Sequence, residues 1–183
     1  MQTYTALLRG INVSGHKKIK MPELKTLFEN LGFTNVRTYI QSGNVVFESA
    51  NQEDLESKIS AKIREQFGFE VAVICRSKTE MEQVLLRNPY AEMVGFEPEK
   101  LYVTFLAEAP QPDKLEALQA FTFEPEMYTL QGREIYVYCF NGYGNTKLEN
   151  LFFEKKLKVA CTTRNWRTVN KLVEMSQPET VGK

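Results

Sequence analysis

Four short segments of the chain carry residue types able to bind a charged group. The first is Gly10-Ile-Asn-Val-Ser-Gly15-His16-Lys17. Glycines there can turn backbone N–H groups inward as an anion-binding nest, and a lysine can neutralise the charge. The spacing is not that of a Walker A loop, which needs Gly-Lys-Ser/Thr leading straight into a helix. Here His16 separates Gly15 from Lys17, Lys18 replaces the hydroxyl residue, and no helix is expected before Pro22. A looser cradle from Asn12, Ser14, Lys17 and Lys18 and a purely structural loop both stay open.

The second segment, Ser42-Gly43-Asn44, has the composition of a hairpin turn, since Gly and Asn tolerate positive φ. Ser42 and Asn44 could also offer hydrogen bonds to whatever the neighbouring loop binds. The third, Asn141-Gly-Tyr-Gly-Asn-Thr-Lys147, should join a strand to a helix opened by Thr146-x-x-Glu149, a capping box. Lys147 would then sit at a helix N-terminus, where the dipole favours an anion. The fourth, Thr162-Thr-Arg-Asn-Trp166, reads as a helix cap followed by a packing Trp. Arg164 is suited to planar, bidentate contact with carboxylate or phosphate, and Asn165 stands beside it. The candidate ligand-binding residues are therefore Asn12, Lys17, Ser42, Asn44, Lys147, Arg164 and Asn165.

Other chemistries lack their residues. His16 is the only histidine, which removes His-pair metal sites, and no Gly-x-Ser-x-Gly elbow is present. Cys75, Cys139 and Cys161 are odd in number, widely spaced and each in an apolar context. They read as buried reduced thiols, with neither metal nor disulfide spacing. Neither a metal nor a particular cofactor is implied, and no catalytic residue is identified. Tyr136, Tyr138 and Phe140 alternate on one strand as base-stacking aromatics do in RNA-binding sheets, but packing is the preferred account.

Composition narrows the setting. The chain has 183 residues, 43% of them hydrophobic and 12 of them Phe, enough for a proper core. Lys+Arg and Asp+Glu number 23 each. This balance argues against bulk electrostatic binding to nucleic acid or an anionic membrane. Basic residues still prevail at 1–50 and 131–183, and acidic ones at 91–130. No apolar run approaches the ~20 residues that span a bilayer, and the opening residues are expected to form a strand rather than a secretory leader. The expectation is a cytoplasmic protein.

The elements that must position these segments follow from periodicity. Strands are expected over 3–8, 35–40, 45–48 and 70–75, with helices over 22–31 and from about Asn51. Leu24, Leu27, Phe28 and Leu31 share one helix face, and Leu55, Ile59 and Ile63 another. This βαββαβ order is the ferredoxin-like signature. A connector helix opened by Ser77-x-x-Glu80 and stopped by Asn88-Pro89 follows, and the order then repeats through 101–162. The fold class is α+β: two ferredoxin-like units forming two-layer sandwiches, with a connector helix and a C-terminal helix. The expected boundaries are 1–76, 77–98, 99–175 and a tail over 176–183. Topology places residues 10–20 beside 41–44, and 141–147 beside 163–166, with a cleft between the halves as a possible meeting place.

Leu8-Arg-Gly-Ile-Asn-Val-Ser-Gly15, Met21-x-x-Leu24, Leu31-Gly-Phe33, Ser42-Gly-Asn-Val45, Thr146-Lys-Leu148 and Thr162-Thr-Arg-Asn-Trp166 together resemble a bacterial domain-of-unknown-function family. The resemblance implies two ferredoxin-like units and brings no catalytic residue or substrate with it. Ser14 stands where that family usually has Gly. The functional expectation is binding of a small anionic ligand, a phosphorylated metabolite or nucleotide-like molecule, through the converging loops. The alternative is a non-enzymatic module for protein or single-stranded RNA acting through a sheet face, which requires Tyr136 and Tyr138 to be exposed.

Overall fold

A computed structural model describes residues 1–178. The chain divides into two compact units: Met1–Gln83 together with residues 170–178, and Val84–Val169.

The first unit contains β1 (Gln2–Leu8), α1 (Met21–Asn30), β2 (Thr34–Tyr39), β3 (Asn44–Ser49), α2 (Leu55–Phe67) and β4 (Val73–Ser77). Its strands form one antiparallel sheet in the order β2-β3-β1-β4, the ferredoxin-like arrangement. Pro22 starts α1, where its missing N–H costs nothing. Leu24, Leu27 and Phe28 of α1 and Leu55, Ile59 and Ile63 of α2 cover one sheet face made of Tyr4, Ala6, Leu8, Val45, Phe47, Val73 and Cys75. At its centre the Phe47 ring packs 4.5 Å from Phe33 and 5.2 Å from Phe28. Asn51 does not cap α2. Its Oδ1 accepts the Glu53 N–H in a turn ahead of the helix, and Asp54 takes the cap position.

From β4 the chain passes directly into α3 (Lys78–Leu86). The expected capping box is present: Ser77 N–H donates to Glu80 Oε2 at 2.7 Å and Glu80 N–H to Ser77 Oγ at 3.3 Å. The second unit then holds β5 (Leu101–Leu106), α4 (Pro112–Gln119), β6 (Met127–Gln131), β7 (Glu134–Tyr138), α5 (Asn150–Leu157) and β8 (Cys161–Asn165). Its sheet order, β6-β7-β5-β8, repeats that of the first unit. Leu118, Phe153 and Leu157 cover Leu106, Ile135, Val137, Cys139 and Cys161. The last helix, α6, runs over Trp166–Ser176, so Ser176 belongs to a helix rather than to a tail; the rest of the expected tail beyond residue 178 lies outside the described residues.

Two expectations change in the second unit. Thr146 and Glu149 do not form a capping box. A 3-10 turn at Tyr143–Asn145 delays α5 to Asn150, and Thr146 Oγ1 accepts the Leu148 N–H instead. The turn is held in place by the Tyr143 ring, stacked 4.7 Å from Tyr102. Tyr136 and Tyr138 are each 1% exposed. The Tyr136 hydroxyl donates to Val84 O, and the Tyr138 ring packs against Tyr90 and Phe96 while its oxygen accepts the Glu97 N–H. The sheet face that base stacking would need is closed.

All three cysteines are free and buried. Burial pushes the Cys75 thiol well above its ordinary value, and burial beside Glu126 pushes Cys139 up to about 12. Thiolate is then almost absent at neutral pH. Titration with a disulfide reagent at pH 8 is expected to find no reactive thiol in the folded protein and all three after denaturation; a fast-reacting thiol in the native state would contradict this burial.

Candidate functional site

In the first unit the two candidate loops meet as topology requires. The Leu8 N–H donates to Gly43 O at 2.8 Å where β1 ends. Ile11 and Ile19 are buried, which anchors both ends of the 10–20 loop in the core. Asn12 ties the arrangement together. Its Nδ2 donates to Ile19 O at 2.9 Å and to Gln41 O at 2.8 Å, and its Oδ1 accepts the Ile19 N–H at 2.9 Å.

Above this brace the loop folds into a miniature hairpin. The Asn12 N–H bonds Lys17 O, the His16 N–H bonds Val13 O, and Val13 pairs with His16. Ser14 and Gly15 form its tip at φ values of 49° and 78°, both left-handed as in a type I′ turn. Lys17 Nζ donates to Glu70 O at 2.6 Å, while His16 and Lys18 are exposed. The chain holds no acidic residue before Glu23, so this end of the sequence carries only positive side-chain charge.

The partner hairpin is built around Asn44, which is buried and donates from Nδ2 to Tyr39 O at 3.1 Å and Ser42 Oγ at 2.9 Å. Gly43 sits at φ +74°, and a Cβ there would lie 2.8 Å from Leu8 Cβ and 2.9 Å from Ile11. Ile40 has φ +47° and is 51% exposed. Left-handed backbone at a β-branched residue is an outlier. Nothing in the sequence reading singled out Ile40, because neither its type nor its spacing signals a turn.

In the second unit the candidates separate. Lys147 lines a cleft of about 370 Å³ with Glu124, Glu126, Asn141, Asn145 and Thr146. The Glu126 carboxylate is already engaged, accepting the N–H groups of Phe140 and Asn141. Arg164 and Asn165 do not line this cleft. Arg164 is 8% exposed, and its Nη1 donates to Thr162 Oγ1 at 2.8 Å and to Thr163 O at 2.9 Å. Burial pushes its guanidinium down from its ordinary value to about 10. Asn165 Oδ1 accepts the Thr168 N–H at 2.8 Å, an N-cap for α6. Thr163 Oγ1 donates to Asn150 Oδ1 at 2.7 Å and so ties the start of α5 to β8.

The same device recurs in the first unit, and sequence reading missed it. Arg76 is the fourth residue of β4 as Arg164 is of β8, is also buried, and donates from Nη1 to Cys75 O at 2.9 Å. On the same edges Glu56 accepts the Cys75 N–H at 3.2 Å and Glu154 the Cys161 N–H at 3.1 Å. One backbone N–H of each of these strands is thus taken up by a glutamate of its own unit, which blunts a pairing hazard there. The signal was present: Cys-Arg-Ser and Thr-Arg-Asn each precede a helix directly.

Among the described residues no group of three or more His, Cys, Asp and Glu is placed to hold a metal, and no helix is long and apolar enough to cross a membrane.

No curated protein matches the chain. Among solved structures, the conserved bacterial protein SP0830 from Streptococcus pneumoniae is similar with a TM-score of 0.79 at 24% identity, covering 96% of this chain and 99% of that one. At this identity the likeness speaks for the fold. A family model described as a protein of unknown function, DUF1697, matches residues 1–136, and the chain belongs to that family.

Proposed function

We propose that this protein binds a small anionic ligand, a phosphorylated metabolite or nucleotide-like molecule, on the loops of its first unit. The observation that carries the reading is the Asn12 brace, which holds a short, left-handed hairpin rigidly above the sheet with His16, Lys17 and Lys18 along it. A rigid cationic loop loses little entropy when an anion docks, and its fixed charges need no reorganisation. Lys17 and Lys18 supply charge in this reading. Asn12, Ser42 and Asn44 set the loop's shape through their hydrogen bonds. Lys147 offers a second cation in the other unit, within a cleft whose two glutamates disfavour a strong anion. Arg164 and Asn165 act there as edge brace and helix cap. A cytoplasmic setting agrees with three free, buried thiols.

The test is thermal unfolding against nucleotides, sugar phosphates and inorganic phosphates. A ligand present at 100 times its dissociation constant stabilises the folded state by about 2.7 kcal/mol. Lys17→Ala and Lys18→Ala are each expected to weaken a hit roughly tenfold, about 1.4 kcal/mol, with Lys147→Ala neutral. A flat response across the panel, or a hit that depends on Lys147 alone, would overturn the assignment to the first unit.

A further inference from the structure

We infer that the ligand of these loops carries an apolar, planar group beside its anionic one, which makes it a nucleotide rather than a bare phosphate or a sugar phosphate. The inference rests on the anion-binding reading and narrows it. Two β-branched apolar side chains flank the Asn12–Gln41 hydrogen bond, one on each strand of the brace: Val13, 58% exposed, and Ile40, 51% exposed. The bond fixes their parent loops side by side, with Lys17 and Lys18 following on the same hairpin.

Ile40 is the less expected of the two. Its φ of +47° is a conformation that Asn or Gly adopts readily and a β-branched residue does not. Burial does not compensate, since half the side chain faces solvent. Turn preference and core packing therefore both argue for another residue. Strain held at an exposed apolar side chain is a mark of function rather than of folding. A nucleobase laid across Val13 and Ile40 would place its phosphates toward Lys17 and Lys18, so one molecule would use both the apolar and the cationic features.

The test compares ADP, ribose 5-phosphate and pyrophosphate by calorimetry on wild type, Ile40→Asn and Val13→Ser. ADP is expected to bind at least tenfold more tightly than either fragment. Ile40→Asn should raise the unfolding midpoint while weakening ADP at least fivefold and leaving pyrophosphate unchanged, and Val13→Ser should weaken ADP without raising the midpoint. If pyrophosphate or ribose 5-phosphate matches ADP, the nucleotide inference fails and the anion reading stands. If Ile40→Asn is more stable and binds ADP as wild type does, the apolar contact fails. If none of the three binds, both readings fall together.

Discussion

Gly43→Ala is expected to destabilise the protein by about 3 kcal/mol, the largest effect of any single added methyl group in the candidate loops. Two independent penalties meet at this residue. An alanine at φ +74° pays roughly 1–2 kcal/mol for left-handed backbone. Its Cβ would also stand 2.8 Å from Leu8 Cβ and 2.9 Å from Ile11 Cδ1 and Cγ1. Leu8 Cβ is fixed to a central strand whose N–H bonds Gly43 O, so it has no rotamer by which to yield. Overpacking of this kind costs about 1–3 kcal/mol. Gly132 is the control, with φ +65° and no neighbour nearer than 3.9 Å to an added Cβ. Gly132→Ala should cost only the backbone share, about 1–2 kcal/mol. Urea unfolding of both variants checks the difference, and equal losses would show that the Leu8 contact is relieved by movement of the hairpin.

Gly43 also shows why this part of the molecule was legible in advance. A Ser-Gly-Asn run between two apolar strands has one economical solution, a hairpin, and the βαββαβ order then brings it beside the 10–20 loop. The helix faces were equally clear, because Leu24, Leu27 and Phe28 recur at helical spacing behind Pro22. Local pattern failed where a competing local interaction won. Ser77-x-x-Glu80 and Thr146-x-x-Glu149 have the same spacing, yet only the first forms its reciprocal bonds. At the second, the stacking of Tyr143 on Tyr102 winds a 3-10 turn just where the box would begin.

The alternation of Tyr136 and Tyr138 gave their shared face but not what covers it. That cover comes from Val84, Tyr90, Phe96 and Glu97, distant in sequence. Ile40 had no signal at all, since an αL isoleucine violates the residue preferences on which turn reading depends. Such a failure is expected at a site whose demands differ from those of folding.

Arg164 carries the second large effect, because a buried guanidinium and a ligand-binding one have the same chemistry in sequence. Arg164→Ala is expected to cost about 2–4 kcal/mol. It removes the donor to Thr163 O and Thr162 Oγ1 inside the unit, and a buried acceptor left without its partner costs about 1–3 kcal/mol. Arg164→Met behaves differently. It loses the same donor but fills the volume, so its loss should be the acceptor share alone, about 1–3 kcal/mol, without the cavity that alanine leaves. The pH dependence has a definite sign. A guanidinium pushed down to about 10 when folded releases its proton more easily there than in the unfolded chain. Its charge therefore lowers stability below pH 10, and that penalty fades as pH rises above 10. Wild type should gain on Arg164→Met across that range. Binding supplies the decisive contrast with a ligand role. An edge brace predicts that Arg164→Met, once shown to be folded, binds any anion found for the first unit as wild type does. A stable Arg164→Met that has lost this binding would instead make the guanidinium part of the ligand site.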